Sequence, residues 1–159
     1  MDTIGKVNCI AVDGSESSKH AFNWYLENFH NNNDTLIIIH VTEVPRMALM
    51  GLMGAYASID IYQDVVESNA REDEHMMQYY SDICKEKHIK YDSIIVENCY
   101  GVGHDICDSV KKCHGTVIIL GQRGLGKFSR FVLGSTSDYV LHHSNIPVIV
   151  VPDSKPYES

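Results

Sequence analysis

VIILGQRGLGKFSRFVLGSTS, residues 117–137, decides how the rest of the chain is read. It opens on Val117-Ile118-Ile119-Leu120, an apolar run too short for a helix and rich in β-branched residues, which predicts a strand. Gly121, Gly124, Gly126 and Gly134 then interrupt regular structure, and Arg123, Lys127 and Arg130 bring positive charge with no acidic residue among them. Ser135-Thr136-Ser137 starts a helical pattern that runs to His143, and a hydroxyl residue is expected to cap it. A strand, a glycine loop and a helix N-terminus in succession make a place for an anion. The first backbone N–H groups of a helix lack internal partners, and its dipole favours negative charge there. Gly121, Gly124 and Gly134 are expected to let the backbone turn and approach a ligand closely. The bland alternative is a long surface turn followed by an ordinary helix cap.

The same alternation extends outward. Lys6 to Val12 is an apolar run ending in Asp13-Gly14-Ser15, and Ser15 is a good N-cap. Phe22, Tyr25, Leu26 and Phe29 then recur at helical spacing until Asn31-Asn32-Asn33-Asp34 breaks the pattern. Thr35 to Val41 reads as a strand. Ile59 to His88 reads as a long helix with Tyr62, Val66, Ala70, Met77, Tyr80 and Cys84 near one face. Ser93 to Val96 is a strand core, Gly101 to Cys113 a shorter helix, and Pro147 to Val151 a closing strand. Five strands alternating with four helices predict an α/β domain built on a parallel sheet covered on both faces. Residues 1–152 read as one domain and 153–159 as a polar tail.

Composition narrows the function. A net charge of −8 over 159 residues disfavours general binding to nucleic acid or anionic membranes. No apolar run has the length of a membrane span, and MDTIGKVNCIAVDG has no secretory apolar region, so a cytoplasmic protein is expected. Cys9, Cys84, Cys99, Cys107 and Cys113 are odd in number and without paired spacing, which predicts reduced thiols. The histidines and cysteines show no structural-zinc spacing. Ser135 lies in no nucleophile elbow, and no water-positioning group or metal carboxylate for ATP hydrolysis stands out. Residues 45–58, PRMALMGLMGAYAS, are apolar for a loop, and flexible methionines suit a lid or a protein-docking surface.

Two familiar phosphate motifs fail on their own mechanics. Gly121, Gly126 and Lys127 fit G-x4-G-K, but Phe128 stands where a Ser or Thr should hold Mg²⁺. Gly124-Leu125-Gly126 begins a dinucleotide fingerprint, but Ser129 occupies the third small-residue position. The whole stretch fits better. Gly121-x2-Gly124-x9-Gly134-Ser135 resembles the nucleotide-binding signature of the universal stress protein family. VDGSE at 12–16 resembles that family's first strand-to-helix turn, and GSTSDYVLHHSNIPVIVVP resembles its last helix and strand.

The resemblance implies a Rossmann-like open parallel five-stranded sheet of order 3-2-1-4-5. It implies binding of ATP or another adenine nucleotide, with output in stress response or signalling. Ala11, Val12 and Asp13 would line the adenosine end, Val41 would pack on adenine, and Leu120 and Gly121 would lie near the ribose. Gly124, Gly134, Ser135, Thr136 and Ser137 would hold the phosphates, which could carry Mg²⁺, and the charge of Arg123 would add positive potential beside them. Thr136 and Gln122 depart from the family's usual residues. A homodimer through strand 147–151 is also implied. The alternatives are an adaptor or dimerisation module that keeps only the fold, and a slow ATPase. With that sheet order the turn after the first strand and the loop after the fourth converge at a switch point, where open α/β sheets hold ligands.

Overall fold

The computed structural model of the chain describes residues 5–43, 59–122 and 133–153. The elements in order are β1 (Val7–Ala11), α1 (Glu16–Asn28), β2 (Thr35–Thr42), α2 (Ile59–Glu86), β3 (Tyr91–Glu97), α3 (Val102–Lys112), β4 (Val117–Gly121), α4 (Ser135–His143) and β5 (Val148–Val151). The strands form one sheet in the order β3-β2-β1-β4-β5, and every pairing is parallel. This is the expected five-stranded open sheet.

Strand alternation sorts the core into two layers. Ile10, Leu36, Ile38, Val117 and Ile119 point to one face, where they pack with Phe22 and Tyr25 of α1 and Met77, Tyr80 and Cys84 of α2. Cys9, Ile37, Ile39, Ile118 and Leu120 point to the other, under Ile106 and Val110 of α3 and Val140 of α4. Both faces of the central strands are thus apolar because both are covered. On the first face the Phe22 and Tyr80 rings meet edge to face at 4.9 Å, and the Ser18 and Tyr80 hydroxyls lie 3.1 Å apart, joining α1 to α2.

Each helix start has a local cause. Ser15 caps α1, its Oγ accepting from the Ser18 N–H at 3.2 Å. The turn before it needs Gly14, whose φ of +73° a side chain rarely adopts. The buried Asp105 carboxylate accepts from the Cys99 and Tyr100 N–H groups at 2.8 and 3.2 Å, which fixes the entry to α3. Burial pushes the Asp105 carboxyl up, but His104 and these two amides outweigh it and hold it below its ordinary value.

Two expectations need correction. Ala70 is exposed. The inward phase of α2 runs instead through Tyr62, Val66, Asn69, Asp73, Met77, Tyr80 and Cys84, steps of three and four that average the true helical period. The N-cap of α4 is Gly134, without a side-chain hydrogen bond, rather than a Ser or Thr, because all three hydroxyl residues lie inside the helix.

Candidate functional site

The sheet order reverses between β1 and β4, and a crevice of about 710 Å³ opens at the carboxyl ends of the strands there. β1 contributes Ala11, Val12 and Asp13; β2 contributes Ile39, His40, Val41 and Thr42; β4 contributes Leu120 and Gly121. Gly134, Ser135, Thr136 and Ser137 line it from the start of α4. Every candidate site residue among the described residues therefore lies on one crevice. Arg123 and Gly124 lie outside the described residues, as do Lys127, Arg130 and the segment 45–58.

The start of α4 is the donor end of the crevice. Its first intrahelical bond runs from the Asp138 N–H to the Gly134 carbonyl at 2.9 Å. The N–H groups of Ser135, Thr136 and Ser137 precede that bond and have no place in the helical ladder. A capping side chain would satisfy part of this set; Gly134 has none. Gly134 also corrects the expectation of a special backbone. Its φ of −60° and ψ of 150° suit any residue. A Cβ built there meets nothing within 4 Å. What glycine provides is empty space in front of the helix.

Gly121 serves a different need. A Cβ at Gly121 would stand 2.4 Å from the Ser17 carbonyl oxygen, so the end of β4 lies against the first turn of α1. Asp13 projects from the turn after β1 and is exposed. Its Oδ1 accepts from the Ser15 N–H at 3.1 Å and the Ser15 hydroxyl at 2.5 Å, so the carboxylate shapes the turn as well as lining the crevice.

The opposite wall comes from α2, and residue spacing did not reveal it. Asn69, Glu72 and Asp73 line the crevice alongside Glu43. His40 joins this wall to the floor. One ring nitrogen, Nδ1, is 2.9 Å from the Val12 carbonyl oxygen, and the other, Nε2, is 2.9 Å from Asp73 Oδ1. Both partners are acceptors, so each bond uses a proton on the ring nitrogen that makes it. Two signals were present. His40 interrupts an otherwise apolar strand, and Asp73 stands seven residues from both Val66 and Tyr80, in phase with buried positions of α2.

The crevice is electrically uneven. Its described lining carries the carboxyls of Asp13, Glu43, Glu72 and Asp73 and no Lys or Arg. Helix donors outside the ladder occupy the α4 end, Glu72 and Asp73 with Glu43 occupy the α2 end, and Asp13 stands apart on the turn after β1. A ligand that suits both has an anionic group and a neutral, hydrogen-bonding group. Among the described residues no set of three His, Cys, Asp or Glu is grouped to hold a metal, and no helix is long and apolar enough to cross a membrane.

Fold and crevice together define an open, doubly wound α/β protein with a crevice at its switch point, where such sheets hold ligands. Residues 8–152 match the family model described as the universal stress protein family, and the chain belongs to that family. It is 28% identical over 141 residues to the universal stress protein A-like protein of Arabidopsis thaliana, covering 86% of this chain and 79% of that one. Two solved structures share its fold. One is a universal stress protein family protein from Arabidopsis thaliana with AMP bound, with TM-score 0.69, 22% identity, and 96% of this chain and 97% of that chain covered. The other is the universal stress protein from Archaeoglobus fulgidus in complex with dAMP, with TM-score 0.62, 17% identity, and coverage of 93% and 98%.

The two glycines should separate in a stability measurement. Gly121→Ala forces a shift of backbone against backbone, and overpacking of this kind costs roughly 1–3 kcal/mol. Gly134→Ala places its methyl in open space and should cost less than about 1 kcal/mol, the N-cap preference for Gly over Ala being partly offset by the lost freedom of the unfolded chain. Urea denaturation followed by circular dichroism reads both. Equal destabilisation of the two variants would contradict the geometry.

Proposed function

We propose that this chain binds an adenine nucleotide, ATP or a relative, in the crevice, and that occupancy rather than turnover carries a stress or signalling output to a protein partner in the cytoplasm. The observation that carries the proposal is the uncapped start of α4, opening into a crevice at the sheet's switch point. An anion is the natural partner for those donors. The acidic α2 wall repels a second anionic group and leaves the neutral base as the part of the ligand directed there. Two family structures named for AMP and dAMP support this class of ligand.

In this proposal Ala11, Val12 and Val41 pack on the base, and Asp13 accepts from ribose hydroxyls or the adenine edge. Leu120 and Gly121 border the ribose. Gly134 leaves room for the phosphates, and Ser135, Thr136 and Ser137 donate to them. Gly124 joins the phosphate end on the strength of its spacing in the signature, and Arg123 for the positive charge it brings next to it. Mg²⁺ would arrive on the phosphates, since it commonly keeps its waters and binds through them.

Calorimetric titration of ATP into three variants tests the assignment, with circular dichroism as the folding control. Gly134→Val fills the space where phosphate should lie and should abolish tight binding in a folded protein. Ser135→Ala removes one hydrogen bond to a charged group, worth about 1.5–3 kcal/mol, and should weaken binding roughly 10- to 150-fold. Asp13→Ala should weaken ATP while leaving inorganic triphosphate unchanged or tighter, because a negative charge has gone. A folded Gly134→Val that binds ATP like the parent would refute the phosphate site.

We further propose a two-fold homodimer through β5. This strand lies at the edge of the sheet, and Val148, Ile149 and Val150 are only half-buried. An unpaired apolar edge is a template for another strand. Sedimentation velocity at micromolar concentration should give a dimer; a monomer throughout that range would exclude the assembly.

A further inference from the structure

We propose that Cys9 and Cys113 form a thiol-oxidation site, in which a hydroperoxide converts the pair to an internal disulfide. The site is separate from the crevice and does not rest on nucleotide binding. Its basis is placement: two thiols distant in sequence have their sulfurs 3.6 Å apart. Cys9 lies on β1 with no exposed surface, inside the layer covered by α3 and α4. Cys113 is the C-cap residue of α3 and is partly exposed.

The hydrogen bonds order the pair. The Cys113 thiol donates to the Val110 carbonyl at 3.4 Å. The proton between the two sulfurs then belongs to Cys9, which points its S–H at Cys113 Sγ. The Val110 carbonyl also accepts from the Gly115 N–H at 2.9 Å, so it keeps a partner if Cys113 turns away. The turn over the pair fits tightly. A Cβ at Gly115 would stand 2.6 Å from Cys9 Sγ, and the preceding His114 is held at a φ of +55°. Cys9 is therefore closed off on that side, with Cys113 as its neighbouring thiol. A disulfide needs the sulfurs at about 2.05 Å, an approach of roughly 1.5 Å from the observed separation.

This asymmetry divides the chemistry. Cys113 is the member that solvent and oxidant reach. Its thiolate attacks a hydroperoxide, the O–O bond breaks, and Cys113 becomes a sulfenic acid while the peroxide leaves as water or an alcohol. Cys9 then attacks that sulfur. The S–S bond forms, the S–O bond breaks, and the departing hydroxide takes the Cys9 proton to leave as water. Two thiols and one peroxide thus give a disulfide and two waters, or one water and one alcohol when the peroxide is organic. Burial, with Cys113 beside it, pushes the Cys9 thiol far above its ordinary range, so Cys9 is inert to oxidants in solution and reacts through its neighbour. A second thiol held in contact has an effective concentration far above that of any free thiol, which favours the internal disulfide over further oxidation of Cys113. The bond would tie β1, which leads into Ala11–Asp13, to the end of the helix whose other end brings Val102 and Ile106 to the crevice.

The test treats the full-length protein with hydrogen peroxide, blocks remaining thiols with iodoacetamide, and maps peptides by mass spectrometry without reductant. The expected product is a linked Cys9–Cys113 peptide, lighter by two hydrogens than the reduced pair and lost on treatment with dithiothreitol. Cys99 is exposed and serves as the internal gauge of oxidation. Cys99→Ser should keep the link, and Cys113→Ser should leave Cys9 open to alkylation after unfolding. The proposal is overturned if Cys113 stays reduced, or advances to sulfinic acid beside a free Cys9, once Cys99 is fully oxidised. Loss of the link in Cys99→Ser would overturn it as well, by showing exchange through the exposed thiol.

Discussion

β1 and β4 pair through Asn8–Val117, Cys9–Ile118 and Ile10–Ile119, residues more than a hundred positions apart in the chain. That contact brings the turn carrying Asp13 beside the end of β4 and the start of α4. Without it the hydroxyl-rich helix start and the acidic turn would be two unrelated surface features. The pairing is secured from both sides, by Ile10 and Ile119 under α1 and α2 and by Cys9 and Ile118 under α3 and α4. The close approach of Gly121 to the Ser17 carbonyl then fixes where β4 ends against α1.

Among the described residues, the crevice has helix donors outside the ladder at one end and hydrogen-bonded groups at the other. At Gly134 the cap has no side chain, so the cap itself satisfies none of the first helix donors. At His40 both ring nitrogens are engaged, by the Val12 carbonyl and by Asp73, so the α2 wall is tied to the floor. A ligand meets fixed donors at α4 and a braced acidic wall at α2. Fixed groups cost little ordering on binding. Charge selects orientation: an anionic group directed at α2 would meet Glu72, Asp73 and Glu43.

Much of this was legible in the chain before its coordinates. The alternation of short apolar runs with helical periods fixes five parallel strands, because a strand apolar on both faces needs cover on both. Ala11, Val12, Asp13, Leu120 and Gly121 could be placed because the family resemblance supplied the strand order, and with it which strand ends meet at the switch point. The α2 wall could not. Asn69, Glu72 and Asp73 reach the crevice through the rotation of a long helix, and a polar residue in phase with a core stripe looks the same whether it faces a ligand or solvent. Gly134 shows a second limit. A glycine kept for its φ and one kept for the space before it are identical letters, and only the dihedral separates them. The contact between Cys9 and Cys113 is likewise invisible to spacing, since it depends on where the end of α3 comes to rest against the sheet.

The central claim is that the start of α4 holds phosphate while the β2 end holds a base. Amide-resolved NMR titration compares adenosine with ATP in the same protein. The account predicts that both ligands shift the Val12 and Val41 amides, while ATP alone strongly shifts Ser135, Thr136 and Ser137. If saturating ATP leaves those three amides in place, or if adenosine shifts them as far as ATP does, the helix start is not the phosphate site and the account is wrong.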